Sequence, residues 1–307
     1  MFKRLLSIDA VYDGFHFSQL RANGAVGRFM DRAAVKVMFP NLVAEVDGYA
    51  PDLIVSVFST GAAAAAKLKL ERPALRTVVF MTDSFAYGMW AHEGTDLFLV
   101  TSQLAAASVL RYCPGAAVRV VDAPVRPAFY DAPSQADARA GLGVPDGVPC
   151  VLLMSGAWGI GPLDAVARAL ASEGWWVLAV GGTNARLVAR LRAVARDHPS
   201  VIAFAYTDRV AELMAASDVI VTSSGDTCRE ARVIGRHLVL LDVVPGHGRE
   251  NLMHELELGE AWACLPTPSS VVGNVRLALD APPASGTPVT ADEWSKGFVS
   301  ALRDAGI

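Results

Sequence analysis

Nine short apolar runs punctuate the chain: 53–57 (LIVSV), 76–81 (RTVVFM), 97–101 (LFLVT), 118–121 (VRVV), 150–154 (CVLLM), 176–180 (WVLAV), 201–204 (VIAF), 218–222 (DVIVT) and 238–242 (LVLLD). They are continuous rather than alternating, the pattern of strands buried on both faces. Segments with helical periodicity lie between them, among them 161–172, 184–196 and 208–216. Strands that alternate with helices predict an α/β chain with parallel sheets covered by helical crossovers.

The stretch 132–147, APSQADARAGLGVPDG, is rich in Pro, Gly, Ala and Asp and has a set of strands on either side. It predicts a first domain over 1–133, a linker over 134–147 and a second domain over 148–279. A linker-like DAPPASGTP (280–288) and a final helix over 291–304 complete the chain. Two parallel α/β domains in tandem place their ligand sites at the carboxyl ends of strands, facing a shared cleft. The length of 307 residues suits two domains, and no apolar run approaches the ~18 residues of a membrane-spanning helix. The amino terminus, MFKRLLSID, turns polar too soon for a signal peptide, so a cytoplasmic chain is expected. A net charge of −4 argues against a nucleic-acid binder. Cys113, Cys150, Cys228 and Cys264 are far apart, which fits free thiols and predicts no metal site.

The loops after the strands carry the chemistry. SGAWGIG (155–161) offers glycines and then a helix start, suited to close approach by a phosphate or to a plain tight turn. Gly156, Gly159 and Gly161 do not follow the G-x-G-x-x-G order, and the next strand ends in Val180-Gly181-Gly182 without an acid. A dinucleotide site is therefore not expected. Ser224, Gly225, Asp226 and Thr227 follow the 218–222 run where a helix should begin. There are more hydroxyls and carboxylates here than one cap requires, and an anion site at the helix amino terminus is the alternative. Glu230, one turn in, suits a sugar diol, so phosphate and ribose together point to a nucleotide. VVPGHGREN (243–251) adds polar groups toward the same place. In the first half, Asp83 ends the 76–81 run and is either a helix cap or a general base.

Together these motifs resemble the lipid-acceptor glycosyltransferases typified by processive diacylglycerol glucosyltransferase and monogalactosyldiacylglycerol synthase. Those GT-B enzymes are related to the transferase that adds N-acetylglucosamine to the peptidoglycan lipid intermediate. The resemblance is carried by VVFMTDSFAYGMWAHEGTDLFLVTS (78–102), VDAPVRPAF (121–129), VLLMSGAWGIG (151–161) and the segment from Ala203 to Asn251. It implies a GT-B fold with a shortened amino-terminal acceptor domain. It also implies inverting transfer from a UDP-sugar to a hydroxyl of a lipid or lipid-linked acceptor, with no tightly held cofactor or metal. Tyr206 and Thr207 would bracket the uracil, and Glu230 would bind the ribose diol. Gly156, Ala157, Trp158 and Gly159, with Ser224, Gly225, Asp226 and Thr227, would hold the diphosphate. Gly246, His247, Glu250 and Asn251 would face the donor sugar or its phosphate. Asp83 is the expected base, with His16 behind it.

Three departures from the family pattern matter. Its K-P-G-G reads Ser223-Ser224-Gly225-Asp226 here, its P-G-Q-E reads Pro245-Gly246-His247-Gly248, and far fewer residues precede Pro51-Asp52-Leu53. The first strand would be KRLLSID (3–9), followed by a shortened loop with GFH at 14–16. The first 45 residues mix Lys3, Arg4, Arg21, Arg28, Arg32 and Lys36 with Phe2, Leu5, Leu6, Phe15, Phe17, Phe29 and Met30. That mixture is either an ordinary amphipathic face or peripheral contact with the inner face of a membrane. Other readings remain open: a natural-product transferase of the glycolipid-antibiotic type, a non-catalytic nucleotide-sugar-binding subunit, and a nucleotide-sugar epimerase.

Overall fold

A computed structural model describes residues 13–21, 24–156, 159–284 and 289–307. The proposed strand at 3–9, Ala157 and Trp158 lie outside the described residues. The chain forms two compact units.

Unit 1 comprises the described residues up to Ala123 together with Asp292–Ile307. A π-helical segment, His16–Arg21, precedes the long helix α1 (Ala25–Tyr49). Then follow β1 (Leu53–Ser56), α2 (Ser59–Glu71), β2 (Arg76–Phe80), β3 (Leu97–Val100), α3 (Gln103–Tyr112) and β4 (Val118–Val120). The strands pair in parallel in the order β1-β2-β3-β4. Alternation decides what each face meets. Val79, Phe98 and Val100 pack with Ala62, Ala105 and Val109 of α2 and α3. Val78, Phe80, Leu97 and Leu99 instead meet Trp294, Phe298 and Ala301 of the final helix, Ala291–Asp304. The Trp294 indole of that helix donates to Asp122 O at 2.8 Å, which ties the carboxyl-terminal end of the chain to this sheet.

Unit 2 runs Pro124–Ala291. The stretch read as a linker, 134–147, instead holds a helix after the short α4 (Pro127–Tyr130): α5 (Gln135–Leu142). Ser134 caps it, accepting from Asp137 N, and Gly143 closes it at φ 71°. Arg139 of α5 is buried and donates to Asp218 Oδ2 at 2.8 Å, and the same oxygen accepts from Cys150 N. The remaining elements are β5 (Cys150–Leu153), α6 (Leu163–Ser172), β6 (Trp176–Val180), α7 (Ala185–Asp197), β7 (Val201–Phe204), α8 (Val210–Ala216), β8 (Val219–Ser223), α9 (Asp226–Ile234), β9 (His237–Leu241), α10 (His247–Glu257), β10 (Ala261–Cys264) and α11 (Pro268–Asp280), with the final helix, now α12, following in unit 1. The sheet order is β10-β9-β8-β5-β6-β7, all parallel. The chain winds outward from β5 through β6 to β7, then returns to lay β8 on the other side of β5. The crevice above the β5–β8 junction is thus a topological switch point, where ligands bind in open α/β sheets. All four cysteines are buried free thiols, and burial pushes Cys150 up to about 11.

Candidate functional site

Two loops frame the switch point of unit 2. After β5 comes the glycine loop. Gly159 has φ 55°, and a Cβ there would come 2.7 Å from Leu187 Cδ2 and 2.8 Å from Gly181 O. Asn184 caps α7 by accepting from Leu187 N, which fixes the neighbouring loop. Only glycine fits this conformation and this space. Gly159→Ala is expected to lower stability by roughly 1–3 kcal/mol, read as a lower melting temperature.

After β8 comes Ser224-Gly225, and α9 starts at Asp226 with no side-chain cap. After the adjacent β9, α10 starts at His247, again with no side-chain cap. Two neighbouring helices thus direct their first backbone N–H groups toward the same end of the sheet. An exposed helix start of this kind carries about half a positive charge, the chemistry that suits an anion. Beneath it lie two buried hydroxyls, Ser155 Oγ and Thr222 Oγ1, with no hydrogen-bond partner among the described residues.

The residues expected at the donor site differ in what they offer. The Ser224 hydroxyl donates to Gly248 O at 2.6 Å, so it braces the loop against α10 and its proton is not available to a phosphate. Asp226 points outward, 86% exposed, with Arg229 at 3.4 Å. Thr207 Oγ1 accepts from Arg209 N at 3.1 Å, whereas the Tyr206 ring after β7 is 68% exposed and open to stacking. Gly246 is the residue before α10, with φ 65°, and Glu250 and Asn251 occupy that helix's first turns.

Glu230 is the most constrained acid of the set. Its side chain is 13% exposed and pairs with Arg126 Nη2 at 3.2 Å. Burial pushes its carboxyl above the ordinary glutamate range, Arg126 pulls it back, and Asp226 adds a smaller upward push. Arg126 was not singled out from the sequence, where it sits inside VDAPVRPAF. Its guanidinium also lies over the Phe129 ring at 5.0 Å, so α4 presents it to Glu230. If Glu230 grips a ribose diol as a carboxylate, nucleotide affinity falls as pH drops through its raised pKa. The loss is therefore expected at a higher pH than an exposed glutamate would give, and titration calorimetry across that range measures it.

In unit 1, Asp83 lies just beyond the carboxyl end of β2 in an irregular loop and caps no helix. Its Oδ2 accepts from the indole Nε1 of Trp90 at 2.8 Å, and Trp90 is 1% exposed. His16 is 1% exposed and packs edge-on against Phe17 and Tyr87, so its ring is not presented to solvent.

No protein-family model matches the chain. It is 27% identical over 251 residues to a probable chloroplastic monogalactosyldiacylglycerol synthase of Glycine max, covering 76% of this chain and 46% of the relative. It is 25% identical over 211 residues to processive diacylglycerol beta-glucosyltransferase of Bacillus subtilis (strain 168), covering 67% and 55%. The chain thus spans about half the length of these curated relatives. Among solved structures, MurG of Acinetobacter baumannii aligns at a TM-score of 0.55 and 15% identity, covering 81% of this chain and 69% of that one. Phytolacca americana UGT2, complexed with UDP-2-fluoro-glucose and pterostilbene, aligns at 0.63 and 10%, covering 89% and 81%. The two parallel-sheet units, of four and six strands among the described residues, have the GT-B glycosyltransferase architecture, and in sequence the chain is a relative of the monogalactosyldiacylglycerol synthases and processive diacylglycerol glucosyltransferases.

Proposed function

We propose that the chain transfers a sugar from a UDP-sugar, with inversion, to a hydroxyl of a lipid or lipid-linked acceptor. The observation that carries this reading is the switch point between β5 and β8, where α9 begins at Asp226 without a side-chain cap and the Glu230 carboxylate lies one turn in. Phosphates need the N–H groups, and a ribose diol suits the acid. Tyr206 would stack on the base, and Arg126 would be released from Glu230 as the ribose enters. His247, Glu250 and Asn251 are assigned to the sugar.

Asp83 takes the proton of the acceptor hydroxyl. The acceptor oxygen forms its bond to the anomeric carbon as the bond to the UDP oxygen breaks. The helix termini stabilise the charge that develops on UDP, in the manner of a preorganised electrostatic site. The names of the relatives support a diacylglycerol acceptor.

The test incubates the protein with UDP-glucose, UDP-galactose or UDP-N-acetylglucosamine and diacylglycerol vesicles, followed by mass spectrometry of the lipid fraction. A hexosyl or N-acetylhexosaminyl lipid formed with equimolar UDP is expected. Conversion of the UDP-sugar without acceptor would mean an epimerase. UDP binding without turnover on any lipid would mean a binding subunit.

A further inference from the structure

A cavity of about 580 Å³ lies in unit 2 at the amino ends of β5, β6 and β8, within the ~300–1,000 Å³ range of ligand pockets. Val148 and Pro149 lead into β5, Trp175 into β6 and Asp218 into β8, and all four line it. The proposed donor site is at the opposite end of the same strands, so this cavity is no part of it and does not rest on that reading.

The cavity has three kinds of wall. One is apolar, with Val148, Trp175 and Leu279 of α11. The second donates. Arg139 of α5 is 7% exposed, and its Nε donates to Ala216 O at 2.9 Å and its Nη2 to Asp218 Oδ2 at 2.8 Å. Its Nη1 has no acceptor among the described residues. A buried guanidinium fixed by two bonds, with its third nitrogen unpaired, is a rigid donor that calls for an oxygen. Asp218 is already engaged, since its two oxygens accept from Gln135 Nε2, Arg139 Nη2 and Cys150 N.

The third wall accepts. Asp280 ends α11 and forms no ion pair among the described residues. Ala281 makes no backbone bond back to that helix, and the next two residues, Pro282 and Pro283, have no N–H to give. The last carbonyls of α11 are left for solvent or a ligand, and they carry the partial negative charge of a helix carboxyl end. Arg276 at the rim is held by Glu173.

Charge decides the class of ligand. The lining holds two arginines and two aspartates, which cancel. A bare anion would satisfy Arg139 but face Asp280 and the helix end, and a bare cation would meet the reverse. A molecule with both charges satisfies both walls at once. An apolar side chain on it would cover the third wall.

We propose that this cavity binds a small zwitterion of the α-amino-acid type with an apolar side chain. Its carboxylate accepts from Arg139 Nη1. Its ammonium donates to Asp280 and the last carbonyls of α11, and its side chain lies against Trp175 and Leu279.

The test is titration calorimetry of the full chain with leucine and phenylalanine. Isocaproate and isoamylamine, each leucine without one of its charges, and inorganic phosphate are titrated in parallel. At least one amino acid is expected to bind about tenfold or more tightly than any single-charge probe, the effect of one further bond to a charged group. Asp280→Asn should shrink the margin over isocaproate to about threefold or less. Val148→Trp, which fills the cavity from a position outside both core clusters of unit 2, should abolish binding. Both variants should keep the parent's melting temperature; should Val148→Trp fail to fold, Asp280→Asn alone decides. No heat with either amino acid at millimolar concentration would overturn the proposal. So would phosphate, isocaproate or isoamylamine binding as tightly as leucine, or amino-acid binding that the folded variants leave unchanged.

Discussion

Asp83→Asn is expected to lower glycosyl transfer by about 10²–10⁴-fold, the usual contribution of a positioned general base. Asparagine keeps an oxygen that can accept from the Trp90 indole, so the loop should hold its shape while the group loses its basicity. UDP binding, which the proposed function assigns to unit 2, should be unchanged. Turnover and the UDP-induced rise in melting temperature, measured on the same sample, separate the two effects. Retained transfer would remove Asp83 from the reaction. His16 is the other residue expected from the sequence, but its burial argues against a direct proton transfer. His16→Ala should therefore affect stability more than the pH dependence of turnover.

The second large effect is at Glu230. Its carboxylate is mostly shielded from solvent and paired with Arg126, and the proposed function assigns the ribose to it. Hydrogen bonds to a charged group contribute about 1.5–3 kcal/mol each. Glu230→Ala, losing two, should weaken UDP binding by at least a hundredfold, and Glu230→Gln by less. Arg126 would be left unpaired, but at 59% side-chain exposure it remains hydrated, and such surface pairs contribute little to stability. The melting temperature without nucleotide should change little. Calorimetry with UDP reads the affinity, and undiminished binding by Glu230→Ala would put the nucleotide elsewhere.

Much of the fold is legible from one signal, the uninterrupted apolar run. A strand inside a parallel sheet is covered on both faces, so LFLV and CVLL stand out against their polar flanks. The same logic explains the strand that pattern reading passes over. β10, AWAC, is a partly exposed edge of four residues after the turn at Gly259-Glu260, and though apolar it has no β-branched residue to mark it as a strand. The helix α5 is hidden in a Pro- and Gly-rich stretch because its anchor is a buried Arg139–Asp218 pair, formed between residues far apart in the chain. A local composition window cannot register that contact.

The candidate site divides in the same way. The glycine loop and the Ser-Gly-Asp-Thr segment lie where strand ends meet helix starts, so local sequence points to them. Arg126 is placed against Glu230 only by the packing of α4 on α9, which no spacing rule supplies. The bond from Ser224 to Gly248 likewise joins two loops that become neighbours only because β8 and β9 pair. The lysine of the family pattern is absent from the loop after β8, where Arg126 pairs with Glu230 and Arg229 with Asp226.

The central claim is that unit 2 seats a nucleoside diphosphate at the β5–β8 switch point. The most direct test is thermal unfolding of the purified chain against UDP, GDP, TDP, ADP and NAD. A ligand at a hundred times its Kd stabilises by about 2.7 kcal/mol, a rise of several degrees for a protein of this size. The account predicts that rise with UDP, a smaller one or none with the others, and its loss in Glu230→Ala. A well-folded protein whose melting temperature no nucleotide moves, or one that responds to NAD and not to UDP, would contradict it.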